Sequence, residues 1–143
     1  NGALRITLNG ADTHRTLAGR FLADSFGASV QHLALESADI FDTAARLAAR
    51  GFEPLPIPAN YYDDLTARFD FPPGLLERMQ AAQVMYDRDS RGEFFQLYSG
   101  SVAGGLFFEI LQRSGYGGYG APNAPFRIAA QKRRLGPKGM PAR

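Results

Sequence analysis

Apolar residues in this chain recur at two spacings, every second position and every third or fourth, and the switch between them predicts the elements. The opening "ALRIT" is β-branched and apolar and runs into the turn pair Asn9-Gly10, which predicts a strand at Leu4–Leu8. Asp12 or Thr13 then caps a helix whose Leu17 and Phe21 share a face, with Gly27 at its end. "VQHLALES", residues 30–37, reads as a strand in which Val30, His32 and Ala34 share one face and Gln31, Leu33 and Leu35 the other. A long alanine-rich helix follows in "SADIFDTAARLAARG", with Ser37 or Asp39 as cap and Gly51 just past its end.

"FEPLPIP" is extended, but its prolines confine it to an edge or irregular strand. "NYYDDLTARF", with Asn60 as cap, and "PGLLERMQAAQ", opening on Pro73, predict two further helices. The strand "VMYD", a tight turn at "RDSRG" and the strand "EFFQLYS" come next. The strand "LFFEILQR" follows Gly104-Gly105, then the glycine-rich loop "SGYGGYGAPN" and a final helix "APFRIAAQKR". Without the helical insertion, the chain from residue 29 onward is one βαβββ unit, an α+β arrangement. A lone sheet of this kind leaves a concave, partly apolar face that a second such unit is expected to cover. A chain that opens at once on a strand, from Asn1 rather than a methionine, suggests that something precedes it.

Composition narrows the chemistry. With 143 residues the chain is long enough for one domain with a core, and 45% hydrophobic against 21% charged residues places it among ordinary globular proteins. Having no cysteine, it can hold no disulfide, zinc-thiolate site or cysteine nucleophile, which fits a cytoplasmic protein. No apolar run approaches the roughly 20 residues that span a bilayer. The charge of +2 owes much to "QKRRLGPKGMPAR", a basic tail without interleaved aromatics that reads as a solvated terminus and not as a nucleic-acid surface.

Two residues stand out. His32 is one of two histidines, set in a short apolar strand, where it is either a satisfied core histidine or a ligand. Glu109 is the only charge between Leu106 and Leu111, on the face of Phe107 and Leu111, and a carboxylate buried there must be paired, metal-bound or protonated. A histidine and a carboxylate on neighbouring strands are two thirds of a 2-His-1-carboxylate iron triad, which leaves positions open for substrate and O2. His14, at a helix start, is the other histidine and reads as a surface residue, so the residues alone leave the triad one ligand short.

"VQHLALESADIFDTAARLAARG", "ANYYDDLTARF", "YDRDSRGEFFQLYS", "LFFEILQR" and "GYGGYGAPNAP", taken in order, resemble the C-terminal part of 4-hydroxyphenylpyruvate dioxygenase, a member of the vicinal oxygen chelate superfamily of paired βαβββ modules. The resemblance runs from about Leu4 to Gln131. It implies that His32 and Glu109 are the second and third Fe(II) ligands, the first being a histidine of a preceding module. It also implies that Asn9, Gln31, Gln96 and Asn123 line the substrate pocket, with Gln96 projecting between Phe94 and Tyr98. The implied division is residues 1–28 as the last strand and linking helix of that preceding module, 29–131 as the βαβββ module with its gating C-terminal helix, and 132–143 as a flexible tail.

The implied reaction converts 4-hydroxyphenylpyruvate and O2 into homogentisate and CO2, a step of tyrosine and aromatic compound catabolism. The missing module would be supplied in cis or by a second protomer, as in a homodimer. The isolated chain, with at most two of three ligands, is expected to be inactive. Two departures touch the substrate and not the metal: "HRTLAGRF" stands where the family has Ser-Gln-Ile, and Asn123-Ala124 stands where it has Asn-Phe. The wording of "PIPANYYDDL" resembles a bacterial branch in which this domain follows a sugar-phosphate-isomerase-like barrel acting as 3-dehydroshikimate dehydratase. The alternative is therefore an accessory domain whose dehydration chemistry lies in that barrel.

Overall fold

The computed structural model describes residues 4–102 and 105–134. Its sheet has the order β1-β4-β3-β2. Strand β1 (His32–Glu36) runs parallel to β4 (Phe107–Ser114), and β4 and β2 (Met85–Arg88) both run antiparallel to β3 (Glu93–Tyr98). Parallel neighbours need a crossover, and the segment carrying α2 (Ile40–Ala48) supplies it, with α3 (Ala59–Arg68) and α4 (Leu75–Ala82) inserted before β2. A first helix, α1 (Leu17–Asp24), precedes the sheet, while a 3-10 turn (Ala121–Asn123) and α5 (Ala124–Arg134) follow it. This is the expected βαβββ module with its helical insertion. Among the described residues no helix is long and apolar enough to cross a membrane.

Local chemistry sets the boundaries. Asp39 caps α2, its carboxylate accepting from the amides of Phe41 and Asp42 at 2.9 and 3.0 Å. The free amide of Ile40 donates to Gln112 of β4 at 2.8 Å, so the start of α2 is tied to the sheet it covers. At the β2–β3 turn, Asp89 accepts from the amides of Arg91 and Gly92. The core lies between the sheet and the helices of the insertion, with Ile40, Leu55, Tyr61, Leu65, Met79, Val84 and Tyr86 fully enclosed.

Several expected elements differ. No strand forms at Leu4–Leu8: Leu4, Ile6 and Leu8 are exposed, and no strand among the described residues pairs with them, so their backbone groups have no ladder to join. The cap of α1 is Thr16, whose hydroxyl accepts from the Gly19 amide at 3.0 Å, and not Asp12 or Thr13. Asn60 lies inside α3, where Pro58 occupies the cap position without a side-chain bond. "FEPLPIP" contributes one bridge, Pro54 to Ser99, because proline offers no amide to a ladder; Leu55 and Ile57 are nonetheless buried. Residues 135–143 of the basic tail lie outside the described residues.

Strand β1 forms one edge of the sheet and is exposed throughout, with Leu33 and Leu35 at 46% and 56% exposure. Packing therefore weights the sheet toward β3. Leu97→Ala is expected to cost about 2–5 kcal/mol, and Leu35→Ala to stay within about 0.5 kcal/mol, when both are followed by urea unfolding. Equal losses would contradict this distribution of the core.

Candidate functional site

Register brings the polar residues of three strands together. Opposite Ala34 and Tyr98 in its two ladders, Glu109 faces β1 on one side and β3 on the other. Side chains alternate along a strand, so His32, two residues before Ala34, and Gln96, two before Tyr98, share its face. Glu109 is only 5% exposed and makes three contacts. Its Oε2 lies 2.8 Å from Nε2 of His32. The other oxygen, Oε1, accepts from the amide of Gln96 at 2.8 Å and from the phenol of Tyr98 at 3.1 Å. Among the described residues the arginine pair that a rim glutamate would use does not form; the carboxylate is held by a histidine, an amide and a phenol.

The network continues inward. Gln96, itself 1% exposed, accepts through its carbonyl from the Asn123 amide at 2.7 Å. The Asn123 carbonyl accepts from the Tyr61 phenol at 2.9 Å, and that phenol in turn accepts from the Tyr86 backbone amide at 2.8 Å. Among the described residues no buried side-chain polar atom lacks a partner. At the open end the His32 ring stacks on Phe107, centroids 5.0 Å apart and planes within 7°. The imidazole is the solvent-facing member of the chain, 36% exposed against 7% for the Glu109 side chain.

A latched loop delivers Asn123. Arg113 donates to the carbonyls of Tyr116 and Gly118 at 2.9 and 2.6 Å while lying over the Phe94 ring. Tyr116 stacks on Phe94 and donates a short hydrogen bond to the buried carboxylate of Asp87. Asp89 accepts from the Gly117 amide, and this bond and the bonds from Arg91 and Gly92 hold its carboxyl below the usual range. Gly120 closes the loop at φ 66°, and a side chain there would strike the Gln96 amide.

Of the residues singled out in the sequence, His32, Glu109, Gln96 and Asn123 thus form one contiguous cluster. Gln31 adjoins it only through its backbone carbonyl, which accepts from Phe107 at 3.1 Å. Asn9 lies in the exposed irregular segment and makes no bond to the cluster among the described residues, because the strand expected to position it is not formed. His14 sits in an exposed turn before α1. Tyr61 was not legible as a site residue, since it comes from the inserted helix; Tyr98, two residues from Gln96 on the same strand face, carried a signal.

As a metal centre the cluster is partial. Two donors at ordinary metal–ligand distances and at right angles stand about 3 Å apart, which matches the 2.8 Å between His32 and Glu109. A neutral imidazole nitrogen and a carboxylate oxygen also suit a divalent iron. Among the described residues no group of three or more histidine, aspartate or glutamate side chains could hold a metal ion by itself.

Known proteins resemble this chain in sequence and fold. The chain is 44% identical over 131 residues to a 3-dehydroshikimate dehydratase of Pseudomonas aeruginosa, and 30% identical over 125 residues to a 4-hydroxyphenylpyruvate dioxygenase of Legionella pneumophila. It superposes with a TM-score of 0.72 at 44% identity on a xylose isomerase-like TIM barrel/4-hydroxyphenylpyruvate dioxygenase fusion protein, over 76% of this chain and 18% of that one. Against a mutant 4-hydroxymandelate synthase from Streptomyces coelicolor the TM-score is 0.75 at 33% identity, over 84% of this chain and 34% of that one. This chain is similar in sequence and fold to the C-terminal region of 4-hydroxyphenylpyruvate dioxygenase. It covers 90% of its own length in the match to the dehydratase but 21% of that protein, and 85% and 36% in the match to the dioxygenase. No family model matches it. The relatives are enzymes, and the βαβββ module with its helical insertion is their shared ground.

The cluster and its neighbours are rich in phenols. Burial, above all, raises the ionisation of Tyr61, Tyr62, Tyr86 and Tyr98 well above the usual value of 10.0, with the Glu109 charge adding to the effect at Tyr98; Tyr116 is pushed up to about 12 by burial and Asp87. A group whose folded value is raised contributes stability that is full below its unfolded value and lost as pH rises through the folded one. Stability should accordingly fall from about pH 10 upward. In an absorbance titration at alkaline pH, most phenols should ionise only together with unfolding; ionisation of nearly all of them near pH 10 in folded protein would contradict the buried network.

Proposed function

We propose that the intact protein containing this chain is a non-haem Fe(II) oxygenase of the 4-hydroxyphenylpyruvate dioxygenase type, in which His32 and Glu109 provide two of three iron ligands. The observation that carries this reading is the 2.8 Å approach of His32 to a carboxylate that is otherwise buried and held from behind by Gln96 and Tyr98. The likeness to dioxygenases of this type supports it. Residues 29–131 would form the ligand-bearing module, residues 1–28 its link to a preceding one that supplies the third ligand, and residues 132–143 a tail.

Iron bound there would activate O2 for oxidative decarboxylation of an aromatic 2-oxo acid, in the full reading 4-hydroxyphenylpyruvate to homogentisate. The chain's own residues do the positioning. Glu109 supplies negative charge, and the two donors on Oε1 leave Oε2 as the oxygen offered beside His32. Phe107 fixes the plane of the imidazole from one side. Gln96 and Asn123, whose amides are taken up within the relay, would line the substrate pocket from behind the ligands, with Gln31 and Asn9 as further contacts once the preceding module is in place.

The dehydratase relatives at 44% and 43% identity, and the fusion protein, favour a second reading: a dioxygenase-like domain behind a barrel that performs dehydration. In it the module either keeps its own oxygenase activity or serves as a structural partner. Oxygen uptake by the intact protein, loaded with Fe(II) under nitrogen and then given 4-hydroxyphenylpyruvate and O2, separates the cases. Uptake with homogentisate formed, and lost in Glu109→Ala, is expected; iron-loaded protein without uptake moves the reading to another substrate or to the accessory role. Gln96→Leu removes a donor to Oε1 and should lower iron affinity or turnover by about 10–100-fold, measured by anaerobic iron titration. An unchanged affinity and rate would remove Gln96 from the account.

A further inference from the structure

Helix α5 places a cation against the cluster. The guanidinium carbon of Arg127 lies 5.5 Å from the ring centroid of Tyr98 and 5.2 Å from that of Phe107. Phe107 is the ring on which His32 stacks, and Tyr98 is a donor to Glu109. Arg127 therefore borders both aromatic groups that flank the candidate ligands. Its Nη1 donates to Oε1 of the buried Gln131 at 2.7 Å, which fixes the direction of the side chain.

Four other arginines stack on aromatic rings among the described residues; Arg78 over Phe41 and Arg88 over Phe69 make no ion pair and stand away from the cluster, while two have their fork employed. Arg68 pairs with Asp64 and Asp87, and Arg113 donates to two loop carbonyls. Among the described residues no carboxylate oxygen lies within 4.0 Å of the Arg127 guanidinium, although the residue is half-buried. A guanidinium has five donors in a rigid planar fork, suited to bidentate carboxylate recognition, and one of them is used. A half-buried cation with most of its fork unused gains most from an incoming anion.

We propose that Arg127 reads the substrate, so that the site selects an aromatic acid carrying a second anionic group on its ring, a ring carboxylate in particular. This rests on the cluster of His32 and Glu109 being the substrate site. The acid that faces His32 and Glu109 would occupy one end of the ligand, and the ring would present its second carboxylate to Arg127, whose guanidinium stands beside the buried Phe107 and Tyr98 rings. A neutral or phenolic ring, that of 4-hydroxyphenylpyruvate included, would still bind at the His32 and Glu109 end but more weakly, because most of the fork would stay unpaired.

The test is an anaerobic equilibrium titration of the intact, Fe(II)-loaded protein with phenylpyruvate and with 4-carboxyphenylpyruvate, which differ by the ring carboxylate. The doubly anionic probe should bind at least about tenfold tighter, the order of a charge-assisted hydrogen-bonded pair. Arg127→Leu should abolish the preference while leaving phenylpyruvate binding in place, and Arg127→Lys should retain part of it. Equal affinities in the wild type, or a preference undiminished in Arg127→Leu, would overturn the assignment. If Arg127→Leu does not fold, Arg127→Gln replaces it with the same expectation. A wild type that holds no iron would sink the metal reading alone, because the same two probes titrated against metal-free protein still decide the role of Arg127 by the presence or absence of the preference.

Discussion

A carboxylate enclosed in an apolar strand must be matched group for group, and Glu109 imposes that demand on this fold. Removing such a charge from water without partners costs on the order of several kcal/mol, a large share of what a domain this size retains as net stability. Here the cost is offset by His32 from β1 and by Gln96 and Tyr98 from β3. Each partner must itself be satisfied, so the requirement spreads to Asn123 after the glycine-rich loop and to Tyr61 on α3. One buried charge thereby ties three strands, an inserted helix and the approach to the last helix into a single polar relay.

That relay explains why register and loop geometry are so tightly held. A slip of one residue between β3 and β4 would turn Gln96 and Tyr98 to the opposite face and leave Glu109 with His32 alone. The loop must likewise end where Asn123 meets Gln96. Arg113, Tyr116, Asp87 and Asp89 latch it at several points, and Gly120 passes where a side chain would collide with Gln96. Around the relay the sheet is packed against apolar side chains of α2 and the insertion. The relay is itself set into that core, since Tyr61, Tyr98 and Phe107 belong to both.

Much of this was legible in the chain because local chemistry and tertiary structure agree. Alternation in "LFFEILQR" and "EFFQLYS" marked both long strands and put Glu109 and Gln96 on inward faces, and Asp39 marked the start of α2. The readings that failed concern residues whose conformation depends on absent neighbours or on backbone donors. Leu4–Leu8 has strand composition but no partner strand among the described residues. Pro54, Pro56 and Pro58 look extended but cannot sustain a ladder. Tyr61 and Arg127 reach the cluster from helices far away in sequence, a proximity that no periodicity encodes. The resemblance to a known family singled out His32 and Glu109 as the proposed ligand pair, while the bonds behind that pair needed coordinates.

The central claim is that His32 and Glu109 act together as ligands and not only as a structural pair. Anaerobic equilibrium dialysis of Fe(II) against the intact protein, with His32→Ala, Glu109→Ala and the distant His14→Ala, addresses it most directly. The account predicts one iron per chain, bound much more weakly after either of the first two substitutions and unchanged by the third. Iron binding that survives loss of both His32 and Glu109 would contradict it.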